Sequence, residues 1–246
     1  MIKRWNITIP PLTGPQPRKA YVYVPDAAKK DPEARFPVLY MFDGHNLFSD
    51  DDATYGKCWG LKEFLDKWDQ KLILVGIECG HEGDERLSEY LPYRTFTPAR
   101  FSMFKPMIDK NYRTLPDREF TGIGGSSMGG LMSIYAGVHY NHIFSKAACL
   151  SSAVGFCIRG LLKALRKAEL NPNSRFYLSW GTREAYGIKD PTRTDRSSRT
   201  YKWNRQIADV LEAKGTQVKL YCQVEGHHCE ADWEKQNPIY MDWLWK

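Results

Sequence analysis

Long apolar runs are missing from this 246-residue chain. None approaches the roughly 20 residues that a membrane-spanning helix requires, so no membrane association is expected. Met1-Ile2-Lys3-Arg4-Trp5-Asn6 runs straight into a strand pattern, without the apolar stretch and small-residue cleavage site of a secretory leader. Cysteine is sparse: six residues, at 58, 79, 149, 157, 222 and 229, with no C-x-x-C pair. Most of them sit inside apolar strand-like runs, which points to free buried thiols and a cytoplasmic setting. Repeats and low-complexity segments are absent, and a charged content of 26% beside 42% hydrophobic residues excludes a disordered chain.

Metal and nucleotide motifs are incomplete wherever they begin. His81-Glu82-Gly83-Asp84-Glu85 opens like H-E-x-x-H but ends in Glu. Asp50, Asp51 and Asp52 lack the Gly and Glu spacing of a calcium loop. His227, His228, Cys229 and Glu230 lie together with Cys222 nearby, but no second Cys or His pair completes a zinc site. Gly122 and Gly124 start a G-x-G whose sixth position is Ser127, so the dinucleotide fingerprint fails. Gly124 and Gly129 have phosphate-loop spacing, yet Gly130 stands where a lysine is required. Neither a catalytic metal nor a cofactor is expected. Net charge is +6 and uneven, with seven basic residues against three acidic between Arg183 and Arg205. No nucleic-acid-binding motif accompanies them. The plain reading is a solvated loop and helix face; the sharper one is guidance of an anionic substrate, through residues such as Arg193, Arg196 and Arg199.

What is present is one clean G-x-S-x-G, formed by Gly125, Ser127 and Gly129. Glu119–Ile123 before it reads as a strand. Leu131–Tyr140 after it carries apolar residues at Leu131, Ile134, Tyr135 and Val138, which is helical spacing. Strand, Gly-bracketed Ser and helix together predict a nucleophile elbow at Ser127. Side chains two residues either side of that Ser would meet neighbouring backbone, and glycine avoids the clash.

The chain alternates strands and helices throughout. Strands are expected at Trp5–Pro10, Lys19–Pro25, Phe36–Phe42, Leu72–Ile77, Glu119–Gly124, Phe144–Leu150, Arg175–Trp180 and Gln217–Val224. Helices are expected at Trp59–Trp68, Arg100–Tyr112, Gly160–Leu170, Ser198–Lys214 and Ala231–Trp245, besides the one after Ser127. Such alternation builds a mostly parallel sheet covered by helices on both faces, here as one α/β domain spanning 1–246. Ligands then bind outside the carboxyl ends of the strands.

A Ser hydroxyl needs a base, and in this arrangement acid and base follow the Ser in that order. Only His227 and His228 lie far enough downstream, directly after the last strand. His45 and His81 precede the elbow, and His139 and His142 sit at the end of its helix. The first carboxylate after the penultimate strand is Glu184, with Asp190 and Asp195 further along the same loop. The oxyanion calls for two backbone N–H donors. Met128, beside the Ser, is one; His45, in the loop Asp43-Gly44-His45-Asn46 after the first central strand, is the other, acting through its amide. Trp180, Tyr186, Trp203 and Trp233 fall near these loops and could stack on a sugar ring or an aromatic acyl group.

Together these segments resemble the putative-esterase (esterase D-like) family of the α/β-hydrolases. The resemblance rests on Tyr40-Met41-Phe42-Asp43-Gly44-His45-Asn46-Leu47-Phe48, Arg86 to Pro92 with Glu89-Tyr90, Gly125-Ser126-Ser127-Met128-Gly129-Gly130, Gly181-Thr182-Arg183-Glu184 and His228-Cys229-Glu230-Ala231-Asp232-Trp233. That family includes S-formylglutathione hydrolases, feruloyl and acetyl-xylan esterases, enterochelin (siderophore) esterases and mycolyltransferases. The resemblance implies an α/β-hydrolase fold and a Ser-His-acid triad. Its ending, His-x-Glu-Ala-x-Trp, selects His228 over His227 as the base. With no carbohydrate-binding module and no lid segment in view, the expected substrates are small, soluble, short-chain esters, such as acetylated or feruloylated oligosaccharides. Acyl transfer on the same triad and a non-catalytic binding protein are the other readings, and a homo-oligomer is left open.

Overall fold

The computed structural model describes residues 1–8, 16–90 and 98–246, with the backbone alone at 98–103. Its contacts divide into two compact units, Met1–Gly122 and Ile123–Lys246.

In the first unit, β1 (Ile2–Thr8) and β2 (Pro17–Tyr23) pair antiparallel, with Ile2 opposite Tyr23. β2 continues antiparallel onto β4 (Ile73–Ile77), and β4 lies parallel to β3 (Val38–Phe42), Val38 opposite Ile73. Val-Leu-Tyr-Met-Phe is buried at every position of β3. A strand flanked on both faces needs such an unbroken apolar run, where a half-exposed strand would alternate. The helices are α1 (Ala27–Lys30), α2 (Leu61–Lys67), α3 (Glu85–Tyr90) and α4 (Pro98–Asn111). Leu61 and Leu65 of α2 are buried, four residues apart on one helical face.

In the second unit, β5 (Thr121–Ser126, whose first two residues belong to the first unit) leads into α5 (Met128–His139). β6 (Lys146–Leu150), β7 (Arg175–Gly181) and β8 (Gln217–Gln223) follow, β6 parallel to β7 and β7 parallel to β8. α6 (Ile158–Lys167) packs against α7 (Arg199–Glu212), and α7 lies on β7 and β8. Leu161, Leu165, Ile207 and Leu211 fill that seam. α8 (Glu230–Glu234) and α9 (Asn237–Trp245) end the chain, α9 packing on β6 and β7 through Tyr240, Met241 and Leu244. This is an α/β-hydrolase fold with a mostly parallel sheet.

The expected elements are present with shifted ends. β1 starts at Ile2 and its described part ends at Thr8, so Ile9 and Pro10 of the expected Trp5–Pro10 lie outside the described residues. The same holds for Leu91 and Pro92 of the family segment after Arg86. The helix expected over Ala231–Trp245 is two helices, α8 and α9, broken around Lys235 and Gln236. Pro238 explains the break. It has no N–H for the preceding turn and fits the first turn of a new helix. α1 and α3 had no sequence signal strong enough to mark them, being four and six residues long.

The loop after β3 is held by charge. Asp43 sits in the left-handed region at φ 56°. Arg86 of α3 donates two hydrogen bonds to its carboxylate, at 2.9 and 2.8 Å, and the Tyr90 hydroxyl donates a third at 3.0 Å. The Tyr90 oxygen in turn accepts from the Asp43 amide at 3.2 Å. Gly44 follows, where a Cβ would stand 2.6 Å from the Gly76 carbonyl carbon of β4. Nearby, Arg18 and Glu89 form a buried pair with Nη2–Oε1 2.6 Å. Removing one partner of such a pair strands a charge and costs about 3–5 kcal/mol.

Burial opposes the charge on Asp43, but Arg86 outweighs it and holds the carboxyl below its ordinary range. A carboxyl depressed in the folded state stabilises the fold above its unfolded pKa, and that contribution is lost as pH falls through the folded value. Asp43→Asn is therefore expected to lower stability at neutral pH. It should also flatten the loss of stability on acidification below about pH 4, as measured by urea denaturation at a series of pH values. An unchanged acid slope would show that Asp43 does not carry this linkage.

Candidate active site

Ser127 stands between β5 and α5 at φ 57°, ψ −122°, a conformation that a non-glycine residue adopts only under constraint. Its amide donates to Leu150 O at 3.0 Å, and its carbonyl accepts from Ala153 N and Leu131 N, each at 3.0 Å. These bonds fix the turn against the end of β6. Glycine is required beside it: a Cβ on Gly125 would lie 2.9 Å from the Gly129 carbonyl carbon. Met128 is the first residue of α5, so its amide lies in the turn that has no intrahelical acceptor, at the positive end of the helix dipole.

Glu184 follows the end of β7. Its Oε1 accepts from the Gly181 amide at 2.7 Å and from the Ser151 hydroxyl at 2.6 Å. Its Oε2 meets His228 Nδ1. Ser151 Oγ accepts in turn from Trp233 Nε1 at 2.9 Å, and the Trp233 ring stands edge-on to the His228 imidazole at 5.1 Å. One oxygen of Glu184 is thus saturated by two donors and the other is left to the imidazole. Charge-assisted bonds of this kind fix a carboxylate's orientation.

The two loops that carry Glu184 and His228 meet at backbone level. A Cβ on Gly181 would fall 2.1 Å from Gly226 O. The Thr182 amide donates to Gln223 O, and the Arg183 amide to Gly226 O, both at 2.9 Å. His227 points elsewhere. Its amide donates to Asp232 Oδ2 at 2.7 Å, its Nδ1 lies 3.3 Å from the same oxygen, and its side chain is 64% exposed. The two adjacent histidines are therefore sorted by two different carboxylates.

Asp190 and Asp195 are engaged locally. Asp190 accepts from Thr192 and pairs with Arg193 at 3.2 Å, while Asp195 accepts from the amide and hydroxyl of Ser197. His45 lies in the first unit, on the short 3-10 turn Gly44–Asn46, and is 4% exposed.

Ser127, Glu184 and His228 line one cavity of about 690 Å³ with Trp180, Tyr186 and Trp203. Tyr186 and Trp203 face each other at 5.7 Å between ring centroids. Trp233, the fourth aromatic singled out in the sequence, is 4% exposed and backs the imidazole and Ser151. Arg199 alone of the three arginines named for steering lines the cavity. Ser152 and Asn204 line it too; Ser152 Oγ and Asn204 Oδ1 are themselves buried and without a hydrogen-bond partner among the described residues. Sequence reasoning missed Ser151, Ser152 and Asn204. None of the three carries a signal in the sequence.

The family model for the putative esterases matches residues 13–240. An uncharacterized protein of Bacillus subtilis (strain 168), YbbA, is 24% identical, over 93% of this chain and 92% of that protein. Among solved structures, a ferulic acid esterase superposes with TM-score 0.73 at 16% identity, over 99% of this chain and 97% of that one. The enterobactin esterase FES from Shigella flexneri gives TM-score 0.75 at 18% identity, over all of this chain and 58% of that one. S-formylglutathione hydrolase (FrmB) from Staphylococcus aureus gives TM-score 0.65 at 15% identity, over 99% and 98% of the two chains. With a family match running nearly end to end over an α/β-hydrolase fold, the chain belongs to the putative-esterase family and is an ester hydrolase.

Proposed function

We propose that the protein is a serine carboxylesterase for short-chain acyl esters of small polar substrates, carbohydrates foremost, with residues 1–246 as one catalytic domain. Ser127 Oγ attacks the acyl carbon and passes its proton to His228 Nε2. The tetrahedral oxyanion is held by the amides of Met128 and His45. His228 then protonates the leaving alcohol, and an acyl ester on Ser127 remains. Water, deprotonated by the same imidazole, releases the acid. Glu184 fixes the imidazole with its Nδ1–H toward the carboxylate, leaving Nε2 as the base.

The single observation that carries this reading is the shared cavity. A Ser on a strained elbow and an imidazole backed by a doubly anchored carboxylate open into one space. Ser151, Ser152, Ser179, Thr200 and Asn204 in the cavity wall favour a polar substrate. The volume lies in the range of small-molecule sites. A second reading, an aromatic acyl group, is favoured by Trp180, Tyr186 and Trp203 in the wall and by Arg199 beside them. All six cysteines are free, which supports a reducing compartment.

Ser127→Ala is expected to lower kcat for p-nitrophenyl acetate by at least ~10³-fold and to abolish labelling by a fluorophosphonate probe. Normal turnover by that variant would overturn the proposal.

Glu184→Gln should cost ~10²- to 10⁴-fold in kcat, while Asp190→Asn and Asp195→Asn stay near wild type. Ser151→Ala should cost about tenfold, the loss of one hydrogen bond to a charged group. A crippling Asp190→Asn with an active Glu184→Gln would reassign the acid and leave the reaction class intact.

A panel of acetylated xylo-oligosaccharides, methyl ferulate and p-nitrophenyl esters of rising chain length separates the two substrate readings. The expected profile falls beyond about four to six acyl carbons. Arg199→Ala should reduce kcat/KM for an anionic ester and spare a neutral one, with the loss shrinking at high salt.

A further inference from the structure

The ends of β3 and β4 are neighbours in the first unit, and the loops leaving them carry three metal-type donors. His45 follows β3, and Cys79 and His81 follow β4. One ring nitrogen from each histidine and the Cys79 Sγ lie within 4.8 Å of one another. The two imidazoles stand edge-to-face at 4.6 Å between centroids.

The hydrogen bonds around His45 fix its tautomer. Asn46 Oδ1 accepts from the Thr54 amide at 2.9 Å, which identifies that atom as the oxygen. The Thr54 hydroxyl must therefore donate to it, at 3.1 Å. With its proton committed, Thr54 Oγ1 can only accept from His45 Nε2–H, at 2.9 Å. His45 Nδ1 is then a bare lone pair. It is buried and has no hydrogen-bond partner among the described residues. A buried acceptor left open costs free energy that folding has to offset elsewhere.

His81 is supported from behind. Glu78 Oε1 lies 3.0 Å from His81 Nε2. A carboxylate on one imidazole nitrogen is the usual way to orient the other toward a metal. Cys79 stands against Asp43, whose carboxylate accepts a hydrogen bond from the thiol, so an ion has to displace that proton.

We propose that His45 Nδ1, Cys79 Sγ and His81 form a binding site for one thiophilic divalent cation of the zinc type, with a fourth position open to water. Two imidazoles and a thiolate match the donor preference of that ion. Bonds of about 2.0–2.3 Å in a tetrahedron put ligand atoms roughly 3.3–3.8 Å apart, so the site must close by about 1 Å. His81 supplies that movement, since its side chain is 51% exposed on a loop. On binding, the Sγ–H bond breaks, the proton leaves to buffer and the Sγ–metal bond forms. The ion ties the loop after β3 to the loop after β4. This proposal uses the His45 imidazole, whereas the proposed hydrolysis uses only its amide, and it does not depend on the esterase reading.

The test is titration of the purified full chain with Co²⁺ under anaerobic conditions, followed by Zn²⁺ displacement. One equivalent of cobalt is expected, with a near-ultraviolet thiolate-to-cobalt band that Zn²⁺ abolishes one for one. Cys79→Ser should lose the band. Glu78→Gln should weaken binding about 10- to 100-fold, and His81→Ala more than that. Cys229→Ser, beside the other pair of histidines, should bind as wild type. His81→Ala and Glu78→Gln alter exposed or partly exposed groups, so they decide the matter even where Cys79→Ser fails to fold. Absence of the band in the native chain, full affinity in His81→Ala, or loss of the band in Cys229→Ser would overturn the proposal.

Discussion

The geometry around His228 depends on one close approach between two stretches of backbone. Gly181 at the end of β7 and Gly226 after β8 come so near that a single Cβ on the first would lie 2.1 Å from the carbonyl oxygen of the second. The parallel pairing of β7 with β8 sets the strand ends side by side, and the glycines let the following loops collapse together. Amide bonds from Thr182 and Arg183 then clamp the pair. Glu184 lands beside His228 as a result, with no long side chain needed to bridge a gap. Its second oxygen is spent on Gly181 and Ser151, which removes the freedom to turn away.

Backbone strain in the second unit is gathered at the same edge. Ser127, Ser151 and Glu225 all have positive φ, and all follow a strand end. Each costs of order 1–3 kcal/mol and persists only where the surroundings over-determine it. For Ser127 the surroundings are the three 3.0 Å bonds to Leu150, Ala153 and Leu131; for Ser151, the bond from its amide to Ser179 O at 2.9 Å. The first unit repeats the device at Asp43, where the ion pair with Arg86 joins the backbone bond from Asn46 N to Asp43 O at 2.9 Å. Rigid strands thus carry constrained termini, which is the arrangement a preorganised site requires.

Legibility of the fold from sequence tracked the strength of local signals. The apolar run at Val38–Phe42 could only be a buried strand, and the amphipathic spacing of α6 and α7 could only be helix. The last helix reads as continuous in the sequence because its apolar pattern carries on across Lys235 and Gln236, while the break comes from backbone hydrogen bonding at Pro238. Within the site, Ser127 was marked by the glycines around it. Ser151 was not, since a serine after a strand has no pattern of its own and its significance lies in Trp233, far along the chain. The His45, Cys79 and His81 group was equally hidden. Metal motifs are read from short spacings, and these residues are joined by the parallel pairing of two strands.

The sequence by itself determined the alternation of strands and helices, and hence an α/β fold with chemistry at the strand ends. It also determined the elbow at Ser127, because a tight turn demands glycine at fixed offsets from the serine. Both are local constraints, written in side-chain periodicity and in the absence of Cβ atoms. Only the tertiary structure decided between neighbours that look alike along the chain. His227 and His228 are adjacent and identical, yet one is taken by Asp232 and the other meets Glu184. Glu184, Asp190 and Asp195 share a loop, yet the two aspartates close local turns while the glutamate crosses to another strand's loop. Such choices turn on distances between segments remote in sequence, which are fixed only when the sheet aligns their ends.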